Sequence, residues 1–158
     1  MIRRTAGRCV VIDGLPADSW SPVLQFDRTT WLGLLDGELW FGTSEEPRRL
    51  MKLGNPVWLL PMYEHPRDRV LADLATREKE LSLPEGYLVA SIPWDDVEKS
   101  VMTMGSTYWA ELLLDWCEGQ PLTPTEMGVF TQLSQSSWAS QRVRHRAGIR
   151  VHRQLFPK

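Results

Sequence analysis

Two groups of side chains in this 158-residue sequence have the types and spacing to do chemistry. The first is a run of guanidinium groups near the end: Arg142, Arg144, Arg146, Arg150 and Arg153. On a helical wheel Arg142, Arg146, Arg150 and Arg153 fall within an arc of about 80°, at 100° per residue. Guanidinium forks in register bind phosphates or carboxylates in bidentate fashion, so the stripe predicts a polyanion such as nucleic acid, or an acidic protein surface. The second group is Trp31, Glu38, Trp40, Glu45 and Glu46. Indoles supply large, stiff contact area and carboxylates steer cationic partners, so this group predicts docking of a basic protein.

Other chemistries are poorly supplied. Zinc sites need cysteine and histidine in close pairs, whereas Cys9, Cys117, His65, His145 and His152 form no CxxC, HxH or HExxH spacing. Glu64-His65 beside Pro66 reads as a helix start before it reads as an acid–base pair, and Asp95-Asp96 with Glu98 likewise. The GxSxG nucleophile turn is absent, and Gly105-Ser106 and Gly42-Thr43-Ser44 are too short for phosphate loops. Cys117 falls on the apolar side of its helix, where a thiol is inert. The sequence implies no cofactor and no metal, and it promotes no enzyme. A site assembled across the fold, near Glu64, His65 and His145, is the form an enzyme would take.

Charge sharpens the two binding readings. The chain sums to −2, yet residues 141–158 carry five arginines, one lysine and no acid, so the remainder sums to −8. A chain divided in this way either pairs tail against body or offers two surfaces of opposite sign. The hydrophobic fraction, 42%, suffices for a core and argues against disorder. No apolar run approaches a membrane span, and no long apolar segment follows Met1-Ile2-Arg3-Arg4, which reads as cytoplasmic. Two cysteines give no disulfide framework.

The elements that must position these residues follow from periodicity. Trp109, Leu112, Leu113 and Trp116 stand at i, i+3, i+4 and i+7, one helix face, with Ser106 as N-cap and Gly119 past the end. Thr123-Pro124-Thr125-Glu126 combines an N-cap, a first-turn proline and a capping-box glutamate. From Trp138 to Gln154 one helix places Ala139, Val143, Ala147 and Val151 inward. The alternative ends that helix at Gly148 and makes Ile149 to Leu155 a strand of period two. Upstream, Arg8 to Gly14, Val23 to Asp27, Val57 to Tyr63 and Tyr87 to Ile92 read as strands, Glu45 to Arg49 as solvated loop, and Pro66 to Leu81 as a helix. Asp95 and Glu98 form a second capping box for a helix reaching Met104. Asp36-Gly37 is a two-residue hairpin turn. Its register puts Leu32, Leu34, Leu39 and Phe41 on the core face and Trp31, Gly33, Leu35, Glu38 and Trp40 on the other, which needs cover from another layer or a partner.

The expected class is α+β: a mostly antiparallel sheet from the N-terminal two-thirds, covered by helices, with a helical C-terminal third. One domain, 1–158, is expected, with a soft division into 1–105 and 106–158. Leu122 to Glu126 also resembles the opening of some winged-helix regulator domains. That resemblance implies a recognition helix at Trp138 to Ala147 and a wing strand at Ile149 to Leu155. The leading functional expectation is a small protein-interaction module, of the immunity-protein or antitoxin kind, whose −8 body binds a basic partner. A nucleic-acid-binding regulator using the five arginines is the alternative, and an enzyme the weaker one.

Overall fold

The computed structural model describes residues 19–52 and 55–157. The strand expected over Arg8 to Gly14 lies outside them. Among the described residues the chain forms a four-stranded sheet and then helices, an α+β fold with a helical C-terminal part. The strands are β1 (Ser21–Gln25), β2 (Trp31–Leu35), β3 (Glu38–Gly42) and β4 (Pro47–Lys52). A 3₁₀ helix spans Pro56–Glu64. The α-helices are α1 (Arg67–Glu80), α2 (Tyr87–Ser91), α3 (Trp94–Met104), α4 (Thr107–Trp116), α5 (Pro124–Gln135) and α6 (Gln141–Leu155).

These elements group into two compact units. One joins the sheet to Val70–Ile92, and the other joins Asn55–Arg69 to the helices after Pro93. In the first, all four strands run antiparallel in chain order, a meander. The β2–β3 hairpin has the register read from its turn: Leu35 faces Glu38, Leu34 faces Leu39, Gly33 faces Trp40 and Leu32 faces Phe41. Asp36 and Gly37 both take positive φ, 54° and 75°, as a primed turn requires. Leu32, Leu34, Leu39 and Phe41 are buried, the side expected to face the core. Two hydrogen bonds tie the helices of this unit to the sheet: Arg77 Nε donates to the Pro22 carbonyl at 2.7 Å, and the Tyr87 hydroxyl to the Gly37 carbonyl at 3.4 Å.

Three segments differ from the periodicity reading, each for a local reason. Tyr87–Ser91 is helical, not a strand, because the buried Glu78 carboxylate accepts from Gly86 N at 2.8 Å and Leu88 N at 2.7 Å, satisfying first-turn amides from outside. Pro56–Glu64 is a 3₁₀ helix, not a strand. Asn55 caps it by accepting from Val57 N, and Pro56 sits where a missing amide costs nothing. Glu45 to Arg49 is loop only through Glu46. Pro47–Lys52 pairs with β3 across an irregularity between Trp40 and Gly42.

In the helical unit the Thr123 capping box is present in both directions. Glu126 N donates to Thr123 Oγ1 at 3.1 Å, and Thr123 N donates to Glu126 Oε2 at 2.6 Å. Ser106 stands at the N-cap of α4, but its side chain makes no cap bond. The second capping box does not form. Pro93 is the N-cap of α3 and accepts from Asp96 N and Val97 N. The helix therefore starts two residues earlier than the Asp95 reading, and Glu98 lands on its inner face. Residues 149–155 are helical throughout, so the wing strand implied by the winged-helix resemblance is absent.

Candidate functional site

The outer face of the sheet gathers the aromatic group. Trp31 stands opposite Gly42, and Trp40 opposite Gly33, all on the side away from the buried leucines. The two glycines leave a hollow, and the indole of Trp20 fills it. A Cβ on Gly33 would lie 2.4 Å from that ring, and one on Gly42 2.6 Å from it. Trp20 Nε1 donates to the Thr43 carbonyl at 2.9 Å, fixing the ring lengthwise. The result is a shelf of three half-buried indoles, Trp20 between Trp31 and Trp40. Nε1 of Trp40 is buried with no partner among the described residues. Trp20 was not legible as part of the site, since it falls between the segments that periodicity picks out. The signal was the pair of small residues facing each other's neighbours on an otherwise bulky face.

Beside the shelf, Thr43 organises the β3–β4 turn, its hydroxyl accepting from Glu45 N and Glu46 N. Glu45 and Glu46 are exposed there, next to the Trp20 anchor point. Glu38 lies at the opposite end of β3, half-buried and facing Leu35. Trp31 and Trp40 thus share the outer face of the sheet, Glu45 and Glu46 stand in the turn after β3, and Glu38 lies on the Trp40 face at the other end of that strand.

The arginines do not form one free stripe. Arg146 donates to Asp115 Oδ1 at 2.6 Å and lies 3.9 Å from Glu118 Oε2. Arg150 donates to the carbonyls of Cys117 and Gln120 at 2.7 and 2.6 Å. These oxygens belong to the turn that ends α4, where the helix leaves acceptors unpaired and the dipole is negative. Arg144 donates to the Ala139 carbonyl at 2.6 Å. Arg142 and Arg153 are exposed. Arg142 borders a shallow groove of about 820 Å³ on α6 that His145, Gly148, Ile149 and His152 also line. Arg150→Ala is expected to lower the unfolding free energy by about 1–2 kcal/mol, since it strips a charged donor from the part-buried Cys117 carbonyl and the Gln120 carbonyl. Arg142→Ala is expected to stay within about 0.5 kcal/mol. Urea titrations of the two variants check this contrast.

A second concentration of polar groups lies inside the helical unit. Tyr63, Glu98, Cys117 and Glu126 are all buried, from the 3₁₀ helix, α3, the end of α4 and α5. Cys117 Sγ donates to Glu126 Oε1 at 3.1 Å. The Tyr63 hydroxyl and Glu98 Oε2 have no hydrogen-bond partner among the described residues. Burial, then the Glu126 and Asp95 charges, push the Glu98 carboxyl up to about 8, against opposing pulls from Arg67 and Lys99. Burial first and the Glu126 carboxylate second push the Cys117 thiol up, so it is no nucleophile. Burial, with Glu98 next, raises the Tyr63 phenol strongly. Glu64 accepts the Tyr108 hydroxyl at 2.8 Å on the surface. Among the described residues no three metal-ligating side chains gather, and no helix is long and apolar enough to cross a membrane.

The chain matches no protein family, no curated protein and no solved structure.

Proposed function

We propose that this chain is a protein-interaction module that docks a basic partner on the outer face of its sheet, in the manner of an immunity protein or antitoxin. The observation that carries the reading is the Trp20–Trp31–Trp40 shelf with the exposed Glu45–Glu46 turn at its end. Three indoles held half-open are a hot-spot surface: stiff, large and costly to leave facing water. The carboxylates beside them steer a cationic partner and set its register. The nucleic-acid reading ranks below this one, because Arg144, Arg146 and Arg150 are engaged by carbonyls and carboxylates of their own chain.

The test is capture from the source cells at low and high salt, with the wild-type chain and two variants. Trp31→Ala/Trp40→Ala removes the contact area. Glu45→Lys/Glu46→Lys reverses the steering charge. A single lysine- and arginine-rich protein that binds wild type, weakens by roughly 30-fold or more on the tryptophan change, and loses its salt dependence on charge reversal supports the reading. Recovery of no protein, or of partners indifferent to both variants, overturns it.

A further inference from the structure

Glu98 sits on the inner face of α3 with 6% of its surface exposed, and Tyr63 beneath it with 4%. Both have a buried oxygen without a partner among the described residues. Such atoms are rare in cores, because each forfeits its hydrogen bonds to water. The neighbouring Glu126 does not share this condition. One of its oxygens takes the Cys117 thiol and the other the Thr123 amide. Both Glu126 oxygens are thus already occupied as acceptors.

The surroundings of Glu98 therefore suit a neutral acid and not an anion. From α5 it meets Glu126, from α3 itself Asp95 and Lys99, from the start of α1 Arg67, from the end of α4 Cys117, and from the 3₁₀ helix Tyr63. Of these only Arg67 and Lys99 are cationic, and Lys99 is exposed. An ionised Glu98 would stand buried and facing a second carboxylate, with no donor to its Oε2. Relief has a route. A groove of about 490 Å³ runs between α3 and α5, lined by Lys99, Met102, Thr103, Pro124, Gly128 and Val129. Lys99 follows Glu98 directly, and Pro124 to Gly128 flank Glu126. Glu98 and Glu126 do not line the groove while the helices are packed, so water in it meets the carboxylates only once the α3–α5 seam opens.

We propose that Glu98 is a proton-operated latch, holding α3 against α5 while neutral and releasing the seam along this groove when it ionises. The latch lies in the helical unit and is independent of docking on the sheet. With a midpoint near 8 in the closed form, the population of the loosened form rises about tenfold per pH unit up to 8 and levels off above it.

The test is amide hydrogen exchange on the full chain at pH 6 and pH 9, corrected for the intrinsic pH dependence of exchange. In wild type, protection of the α3 and α5 peptides falls about a hundredfold between pH 6 and pH 9, while the β2–β3 hairpin keeps its protection. In Glu98→Gln the α3 and α5 protection is the same at both values. Protection in wild type that does not change with pH, or an equal fall in Glu98→Gln, overturns the latch. If Glu98→Gln does not fold, carboxyl ¹³C titration of the wild-type chain decides. A Glu98 midpoint near 8 that coincides with shifts in α5 supports the latch, and a midpoint in the ordinary carboxylate range overturns it.

Discussion

Gly42→Ala is expected to unfasten the sheet. The added methyl would lie 2.4 Å from the Glu46 carbonyl oxygen, 2.6 Å from the Trp20 ring and 2.9 Å from Pro47 Cα. Two of these three neighbours are backbone, which cannot swing aside as a side chain end can. Gly33→Ala meets the same ring at 2.4 Å and the Ser21 carbonyl oxygen at 2.6 Å. Each substitution forces either the Trp20 indole off the outer face or the β1 or β4 strand away from its neighbour. The expected loss is about 3 kcal/mol or more, the upper range for overpacking. Gly128→Ala is the matched control: nothing lies within 4 Å of its Cβ position, in the middle of α5. There alanine is expected to stabilise by about 0.5–1 kcal/mol, because it limits the unfolded chain and favours helix. Urea unfolding followed by circular dichroism gives all three values. Equal effects at the three glycines would refute the assignment of Gly33 and Gly42 as the floor under Trp20.

The second large effect is the dependence of stability on pH. Glu98 is raised from 4.5 to about 8 in the folded chain. Below 4.5 both folded and unfolded chains hold its proton, and the group contributes nothing to the slope. Between 4.5 and 8 the unfolded chain has released the proton and the folded chain has not. Stability therefore falls as pH rises, by about 1.4 kcal/mol per unit from this group. Across the window the loss is on the order of 4–5 kcal/mol, and above 8 it levels off. Glu98→Gln has no proton to lose. Its denaturation midpoint is expected to lack this fall between pH 5 and 8 and to cross above that of wild type toward pH 8. Parallel curves for the two proteins would mean that Glu98 titrates normally.

Much of the fold was legible where a short-range signal is unambiguous. Asp36-Gly37 determines its own turn type, and a two-residue turn determines the pairing of every residue around it. Thr123-Pro124-Thr125-Glu126 names its own cap and its own first turn. The segments that misled were those where another part of the chain supplies what the local sequence lacks. Tyr87–Ser91 is an apolar run with strand composition, turned helical by a carboxylate from Glu78. Asn55-Pro56 carried the same cap-then-proline signal as Thr123-Pro124, but the β-branched and aromatic residues after it pointed to a strand.

The candidate site was half legible for a related reason. Register puts Trp31 and Trp40 on one face from sequence alone. What fills the space between them depends on Trp20, eleven residues before Trp31 and outside any periodic segment. The arginines misled in the opposite sense. Wheel geometry places a guanidinium on a face but says nothing of the helix ends lying opposite. Arg150 and Arg146 meet the end of α4, and that is where their hydrogen bonds go.

The grip of Arg150 on two main-chain oxygens has an evolutionary corollary. A main-chain oxygen survives every substitution at Cys117 and Gln120, so neither neighbour can drift in a way that frees the arginine from its task. Both bonds leave one terminal nitrogen, Nη2, which the stiff, permanently charged guanidinium carries to the turn. Descendants and cousins of this sequence should therefore keep arginine at 150 while positions 142 and 153 wander, a pattern opposite to the one a nucleic-acid reader would leave in its lineage.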